Sequence, residues 1–124
     1  MGVDQYTSIH VFDDMPDGGR IELQRGEDDR AGVATIRSHL REIKSAFETG
    51  NFSTPAFVHM TEVPGTAVMA KRRAHIRYAV RDLRRGAELR VRTTDPEALA
   101  AVHQFLAFQR GDHRAAGAEL GKKP

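Results

Sequence analysis

The feature that most constrains this chain is an order of predicted elements that occurs twice. Alternating apolar residues predict two strands joined by a turn over residues 6–24, and a helix follows that ends at Gly50. The same order of strand, strand and helix returns over residues 75–110. Strands and helices with one apolar side each are stable only when those sides are packed together. The sequence therefore predicts an α+β fold in which two ββα units form a four-stranded antiparallel sheet with two helices on one face.

The two predicted helices can be aligned with each other at a constant separation along the chain, here called the helix repeat, which relates Asp29 to Asp95. Each helix has an aspartate at its start and an apolar stripe with spacings of three and four residues. The other matching pairs are Ile36 with Val102, Leu40 with Leu106, and the dipeptide Glu22-Leu23 with Glu88-Leu89. This weak internal repeat leaves the strand order open, and pairing of hairpins between two subunits is an alternative to a sheet within one chain.

A length of 124 residues suits one domain, which we place at residues 1–113. Its two units cover about residues 6–50 and 74–110, and a long connection over residues 51–73 joins them. Residues 114–124 are rich in Gly, Ala and Lys, and this composition predicts a flexible tail.

Prolines and aspartates mark the breaks in the chain. Pro55 and Pro64 interrupt the long connection, while Asp95 is expected to cap the last helix with Pro96 at its first position. The apolar residues of the connection are expected to pack onto the core: Phe52, Phe57, Val58 and Val63.

Strand alternation assigns the sheet side chains to two faces. In the first hairpin the inward set is predicted to be Ile9, Val11, Ile21 and Leu23, and the outward set His10, Phe12, Glu22 and Gln24. In the second hairpin the inward set is Ile76, Tyr78, Val80, Leu89 and Val91. The open face is then expected to carry an anion- or partner-binding strip of His75, Arg77, Arg81, Arg90 and Arg92.

Charge is unevenly distributed although the net charge is only +2. Residues 1–30 hold eight acids and three arginines, whereas residues 71–92 hold nine bases and two acids. Such asymmetry can steer an anionic partner toward the basic zone. The alternative is that the two zones neutralise each other within the fold or across a dimer.

The composition excludes several classes of protein. The absence of cysteine excludes disulfides, zinc–thiolate sites and thiol catalysis. No apolar run approaches the roughly 18 residues of a membrane span. The residues after Met1 lack the basic start and the apolar stretch of a signal peptide. This predicts a cytoplasmic location for the given sequence, and a periplasmic or secreted location if a leader was removed.

The six histidines form no closely spaced pair of the kind that binds metal locally. Two flank the apolar stripes of the helices, one lies in the long connection, and one follows Asp112. If they converge, they form a transition-metal site of His39, His59, His103 and His113. Imidazoles with Met60 would suit copper, and imidazoles with Asp112 would suit zinc. The alternative for each is a half-buried histidine that hydrogen-bonds to backbone or carboxylate.

A wider set of residues gives the chain a resemblance to a known family. The matching residues are His10-Val-Phe12, Gly18-Gly19, His39-Leu-Arg-Glu-Ile43, Gly50-Asn-Phe-Ser53, Pro55, Val58-His59, Pro64-Gly65, Ile76, Tyr78, Gly86-Ala-Glu-Leu89, Arg92-Thr93, Asp95, Leu99, His103, Gln109 and Asp112-His113. Over about residues 8–113 the chain resembles small bacterial proteins, often exported, that commonly carry the label "aspartate carbamoyltransferase". The resemblance implies that all the histidines except His75 belong to the family pattern, and it supplies no activity. Asn51 and Met60 depart from that pattern.

The label does not suit the chemistry of this chain. A carbamoyltransferase of that kind needs two domains and a phosphate-binding turn of Ser-Thr-Arg-Thr. This chain is too short and offers only Arg92-Thr-Thr-Asp95, which has the pattern of a strand end followed by a helix cap. We therefore expect no carbamoyltransferase activity.

The sequence favours a binding protein over an enzyme. It contains no P-loop, dinucleotide fingerprint, nucleophile elbow or HExxH motif, and Asp112-His113 beside Arg110 lacks a nucleophile. The first hypothesis is a non-catalytic domain that holds a transition metal, copper or zinc, or a small ligand through dispersed histidines. The alternative is an interaction module whose basic sheet face takes an anionic partner or a second copy as a homodimer, with nucleic acid the less favoured partner.

Overall fold

The computed structural model describes residues 8–26, 29–52 and 63–121, with side chains described for residues 10–26, 29–52 and 63–111. Its elements in chain order are β1 (Ser8–Met15), β2 (Gly18–Arg25), α1 (Arg30–Glu48), α2 (Thr66–Lys71), a 3-10 turn (Arg73–His75), β3 (Ile76–Leu83), β4 (Gly86–Thr93) and α3 (Pro96–Gly121). None of the described helices combines the length and the apolar character that a membrane span requires.

The four strands form one antiparallel sheet in the order β1-β2-β4-β3. The long helices pack on one face of this sheet, so the predicted α+β architecture is confirmed. Helix α1 lies over β3 and β4, whereas α3 lies mainly over β1 and β2. Each long helix therefore covers the hairpin of the other unit, and neither unit can bury its apolar face alone.

The two units are related by an approximate two-fold axis through the middle of the sheet. Gly18 and Gly86 begin the second strands of the two hairpins, and their separation along the chain is here called the hairpin repeat. The same repeat relates Ile21 to Leu89, and these two residues pair directly across β2 and β4. The axis therefore passes beside this buried pair.

The hairpin repeat is longer than the helix repeat by two positions. The reason is that residues 26–29 join β2 to α1, whereas only residues 94–95 join β4 to α3. The predicted match of Glu22-Leu23 with Glu88-Leu89 applied the helix repeat to the strands and was accordingly wrong by two positions.

The inward and outward faces of β1 are opposite to the prediction. The hairpin turn consists of Pro16 and Asp17 alone, and it sets a register in which Phe12 pairs with Ile21. Residues directly opposite in an antiparallel pair share a face, so Phe12 and His10 point toward the helices. Phe12 is 4% exposed and belongs to the core.

Gly18 and Gly19 lie in β2, directly after the two-residue turn. Gly18 has φ +149°, a conformation that L side chains rarely adopt, and a Cβ there would overlap the carbonyl of Val91. A Cβ on Gly19 would overlap the side chain of Leu106. The absence of side chains lets β4 and α3 approach this end of β2 closely.

The long connection contributes an element of its own. Helix α2 lies within it and packs on α3, with Met69 1% exposed. Val63 is buried, and the ring of Phe52 lies 4.4 Å from that of Phe47. These two contacts agree with the predicted packing of the connection, while Phe57 and Val58 lie outside the described residues.

The sequence predicted the ends of the long helices only in part. Asp95 caps α3, since its carboxylate accepts the N–H of Glu97 at 3.3 Å. Asp29 precedes α1 without a side-chain cap bond, because its carboxylate pairs with Arg25 at 3.1 Å.

Helix α3 extends to Gly121, so the tail predicted to be flexible from residue 114 is helical over most of its length. Its Ala, Glu and Leu residues favour helix strongly enough to continue past single glycines.

Candidate functional site

The sheet face opposite the helices, here called the open face, is dominated by charged side chains. Strand pairing and alternation place on it Val11, Asp13, Met15, Arg20, Glu22, Gln24, Arg77, Ala79, Arg81, Glu88, Arg90 and Arg92. The four arginines predicted for this face from β3 and β4 are all there. They differ sharply, however, in what each one contacts.

The centre of the open face is neutralised internally. Arg20 donates to Asp13 at 3.1 Å and also to Glu22 and Glu88. Arg81 lies 3.4 Å from Glu88, a side chain that is itself buried. Burial lowers the pKa of Arg20, but the three carboxylate hydrogen bonds outweigh burial and the net shift is upward. This network holds β1, β2 and β4 together and pairs every described cation at the centre.

Arg90 is also committed to the fold. Its guanidinium donates to the Asp17 carboxylate at 2.5 Å and to the carbonyls of Gly19 at 3.0 Å and Val91 at 2.6 Å. The hydrogen bond from Arg90 lowers the pKa of Asp17, against a smaller opposing effect of burial. Arg90 thus fastens the β1–β2 turn to β4 and is not available as a binding group.

The cations that remain exposed lie at one corner of the open face. Arg77 and Arg92 are directly opposite partners on β3 and β4. The side chain of Arg92 is 62% exposed and lies 3.7 Å from Asp17, whereas Arg77 makes no ion pair with any described residue. Beside them is a cleft of about 430 Å³, here called the corner cleft, lined by Asp17, Ala74, His75, Arg77, Arg92, Thr93 and Thr94.

Thr93 holds the walls of the corner cleft in place. Its hydroxyl donates to the carbonyl of His75 at 2.6 Å and accepts the N–H of Asp95 at 3.1 Å. Its own N–H donates to the carbonyl of Asp17 at 2.8 Å. One buried threonine therefore ties together the 3-10 turn, the β1–β2 turn and the start of α3.

His75 reaches the corner cleft from a different element than the sequence predicted. It ends the 3-10 turn, and β3 begins at Ile76. His75 is exposed and lines the corner cleft together with Arg77 and Arg92. The sequence thus identified the residue but not the backbone that positions it.

Only two of the four histidines predicted to bind a metal have described side chains. His59 lies outside the described residues, and so does the side chain of His113. His103 is half-buried, and its Nε2 lies 2.9 Å from the carbonyl of Met15. Across the described side chains, no group of three His, Asp or Glu is arranged to hold a metal ion. The metal site therefore stays a prediction.

The contact of His103 has a counterpart in the other unit. Arg37, which the helix repeat relates to His103, donates to the carbonyls of Leu83 at 2.6 Å and Gly86 at 3.1 Å. Leu83 and Met15 each end the first strand of a hairpin and are related by the hairpin repeat. Each long helix therefore clamps the turn of the hairpin it covers. His103 is in this respect a structural residue, and the helix repeat relates it to Arg37, which makes the equivalent contact.

His39 lies on the flank of α1, in a shallow groove with Ala34, Thr35, Ser38 and Glu42. It is half-buried, and burial lowers the pKa of its imidazole. Its Nε2 is buried and has no hydrogen-bond partner among the described residues. The structure therefore gives His39 and His103 separate surroundings and different contacts.

Comparison with known proteins adds no further assignment. No protein-family model, no curated protein and no solved structure matches this chain. The resemblance to the small bacterial family stays a prediction, and the function has to be inferred from the geometry of the open face.

Proposed function

We propose that this protein is a non-catalytic binding domain whose corner cleft takes an anionic group. The observation that carries the proposal is the direct opposition of two exposed arginines, Arg77 and Arg92, on neighbouring strands. Asp17 offsets only part of their charge, because its carboxylate is already hydrogen-bonded to Arg90.

Like charges directly opposite on adjacent strands destabilise a sheet. An anion bound between the two guanidinium groups would remove that repulsion and gain charge-assisted hydrogen bonds. Because exposed ion pairs are worth only about 0–1 kcal/mol each, a single small anion should bind weakly. Tighter binding would require a ligand that also contacts His75 and Thr94.

The chemistry of the cleft favours a phosphate, sulfate or carboxylate group over single-stranded nucleic acid. Binding of single strands relies on aromatic side chains on which bases stack. The described part of the open face presents no aromatic side chain, since Phe12 and Tyr78 both point into the core. Strand alternation had placed Phe12 on this face, but Phe12 is buried in the core and is not available for stacking.

The proposal is tested by NMR titration of the whole chain with inorganic phosphate. We expect saturable shifts of the backbone amides of residues 75–77 and 92–94, and at least a several-fold loss of affinity in Arg77→Gln and Arg92→Gln. Arg84→Gln is the matched control, because Arg84 is an exposed arginine at the opposite end of the same hairpin. Equal weakening by all three variants, or no saturable shift at the corner, would rule the site out.

Self-association is separated from anion binding in the same samples. Elution volume and sedimentation are measured with and without phosphate for the wild type and for Arg77→Gln. We expect a phosphate-dependent change in the amide shifts without a change in mass. A change in mass that accompanies every shift would instead assign the corner to a contact between copies.

A further inference from the structure

The corner cleft has two ends that differ in chemistry. At one end Arg77 and Arg92 oppose each other across β3 and β4. At the other end are His75 and Thr94, each two positions along the chain from one of these arginines, and both line the same cleft. Two residues of extended chain span at most about 7 Å. A ligand that reaches both ends is therefore longer than a single phosphate or carboxylate group.

The His75 end offers hydrogen-bonding groups that the fold does not use. The hydroxyl of Thr93 is occupied, because it donates to the carbonyl of His75 and accepts the N–H of Asp95. The hydroxyl of Thr94 and the ring of His75, by contrast, make no hydrogen bond with any residue that the structure describes, and both residues are exposed. A hydroxyl and an imidazole can each donate and accept, so this end suits a neutral polar group such as another hydroxyl.

Carboxylates make the same end unfavourable for a second anion. Asp95 follows Thr94 directly and begins α3 together with the nearby Glu97. A single guanidinium serves both carboxylates, since Arg72 lies 3.5 Å from that of Asp95 and 2.8 Å from that of Glu97. One positive charge against two negative charges leaves this end with a net negative charge, which repels an anionic group of a ligand.

The other charges around the cleft do not reverse this difference. Arg73 is the cation next to Arg72 in the chain, but its side chain lies beside Gly50, just beyond the end of α1. Asp17 lines the cleft, and its carboxylate lies 3.7 Å from Arg92. The positive charge of the cleft is therefore concentrated on the two opposed arginines.

We propose that the ligand of the corner cleft is a small phosphate ester with a hydroxylated tail. The phosphate lies between Arg77 and Arg92, and hydroxyls of the tail exchange hydrogen bonds with His75 and Thr94. The cleft volume of about 430 Å³ is in the range of small-molecule sites and exceeds what a single tetrahedral anion fills. Selection of this tail rests on the anion binding proposed above, since the phosphate anchors the ligand.

Three probes of matched length separate the contributions of charge and hydroxyls. Glycerol phosphate has the proposed tail, propyl phosphate lacks its hydroxyls, and phosphoglycerate has a carboxylate in place of the terminal hydroxymethyl group. In NMR titrations of the whole chain, we expect glycerol phosphate to bind about three- to ten-fold more tightly than propyl phosphate, as one or two net hydrogen bonds allow. Phosphoglycerate should bind more weakly than glycerol phosphate despite its additional negative charge.

Variants of the tail-binding residues test the same preference. Thr94→Val keeps the size of the side chain and removes its hydroxyl, so the ratio of glycerol phosphate affinity to propyl phosphate affinity should fall toward one. His75→Ala should lower this ratio in the same direction. The matched control is Thr35→Val, because Thr35 is an exposed threonine on α1, and it should keep the wild-type ratio.

Vesicles distinguish a free ester from a lipid headgroup of the same chemistry. We expect equal binding to vesicles of phosphatidylglycerol and to vesicles of phosphatidylserine, which carry the same charge. A preference for phosphatidylglycerol that is lost in Thr94→Val would assign the tail to a lipid and overturn the free ester.

The two proposals fail in different ways. Equal affinity for glycerol phosphate and propyl phosphate, tighter binding of phosphoglycerate, or an unchanged ratio in Thr94→Val would each overturn the hydroxylated ester. Saturable binding that is weakened by Arg77→Gln would in those cases leave the anion site standing. No saturable binding of any probe would overturn both.

Discussion

The two ββα units share one architecture but present different chemistry wherever they meet solvent. In the core the counterparts are alike: Ile21 matches Leu89, and Leu40 matches Leu106, all at most 1% exposed. On the open face the counterparts of Arg77 and Arg92 are Ile9 and Gln24, which pair at the opposite corner of the sheet. The strand pair at one corner is therefore cationic, and the strand pair at the symmetry-related corner is uncharged.

The symmetric part of the molecule thus supports the fold, and the asymmetric part is where binding should be sought. The two hairpin turns show the same division. Pro16-Asp17 places a carboxylate at the cationic corner, whereas Arg84-Arg85 places cations beside Gln24, and the Arg85 N–H donates to the Gln24 side chain at 3.2 Å. The acidic turn therefore offsets part of the positive charge of its corner, whereas the basic turn adjoins a corner pair that has no charge to offset.

The largest expected difference in stability is between substitutions of Phe105 and of His39, which occupy equivalent positions on α3 and α1. Phe105 is 1% exposed and packs edge-on against Phe47 at 5.8 Å. Phe105→Ala should lower the free energy of unfolding by about 3–5 kcal/mol, whereas His39→Ala should cost less than about 1 kcal/mol. Urea denaturation of both variants measures the difference. Similar losses would mean that the two positions contribute equally to the core.

The next largest difference in stability is expected between the two contacts that join a long helix to a hairpin turn, those of Arg37 and His103. Arg37→Met removes two hydrogen bonds from a charged donor that is one-third exposed and should cost about 1–2 kcal/mol. His103→Phe removes one hydrogen bond to the Met15 carbonyl and should cost about 1 kcal/mol. Arg41→Met removes an exposed pair with Asp82 and an exposed hydrogen bond of 3.3 Å to the Arg37 carbonyl, so it is the control and should cost less. Thermal unfolding that ranks Arg41 first would contradict this assignment.

A smaller effect concerns pH. Because burial lowers the folded-state pKa of His39 below its ordinary value of 6.5, the unfolded chain binds the proton more readily. The protein should therefore lose stability as the pH falls from about 6.5 toward the lowered pKa. His39→Phe should flatten this part of the stability curve, whereas the neighbouring variant Ser38→Ala should keep it. An unchanged slope in His39→Phe would show that the imidazole is not desolvated.

The smallest expected effect sharpens the difference between the two corners. Asp17→Asn removes the carboxylate that competes with an external anion for Arg92 and should raise phosphate affinity at the corner cleft a few-fold. Since hydrogen bonding lowers the pKa of Asp17, the carboxylate stays charged above its ordinary value of 3.8, and its contribution to stability is lost as the pH falls below that value. NMR titration at pH 7 checks the affinity, and Asp82→Asn is a control that should leave it unchanged. Equal affinity in the two variants would mean that Asp17 does not compete for the corner.

The sequence predicted the parts of this fold that depend on local periodicity. The apolar stripe of α1 follows from spacings of three to four residues, and the inward side chains of β3 and β4 follow from a spacing of two. The cap of α3 follows from the position of Asp95 directly before Pro96. Helix α2 was not predicted because it is short and lies between a proline-broken stretch and the 3-10 turn. Its stability comes from packing on α3 and not from its own residues.

The candidate site was predicted less completely than the fold. The sequence identified His75, Arg77 and Arg92 as members of a basic strip, but it placed Arg81 and Arg90 in the same class. Which arginines are free depends on carboxylates that are distant in sequence, such as Asp17 for Arg90 across 73 positions. No spacing rule within one strand contains that information.

The number, type and order of the long helices and strands could be read from the amino-acid sequence, because each of them has its own repeating pattern. Tertiary contacts set the inward face of β1, the crossing of each helix to the other hairpin, and the isolation of the Arg77–Arg92 corner. The physical reason is that register and charge pairing are properties of two segments together. A two-residue turn set which side of β1 is buried, and partners brought from far along the chain set which charges remain exposed.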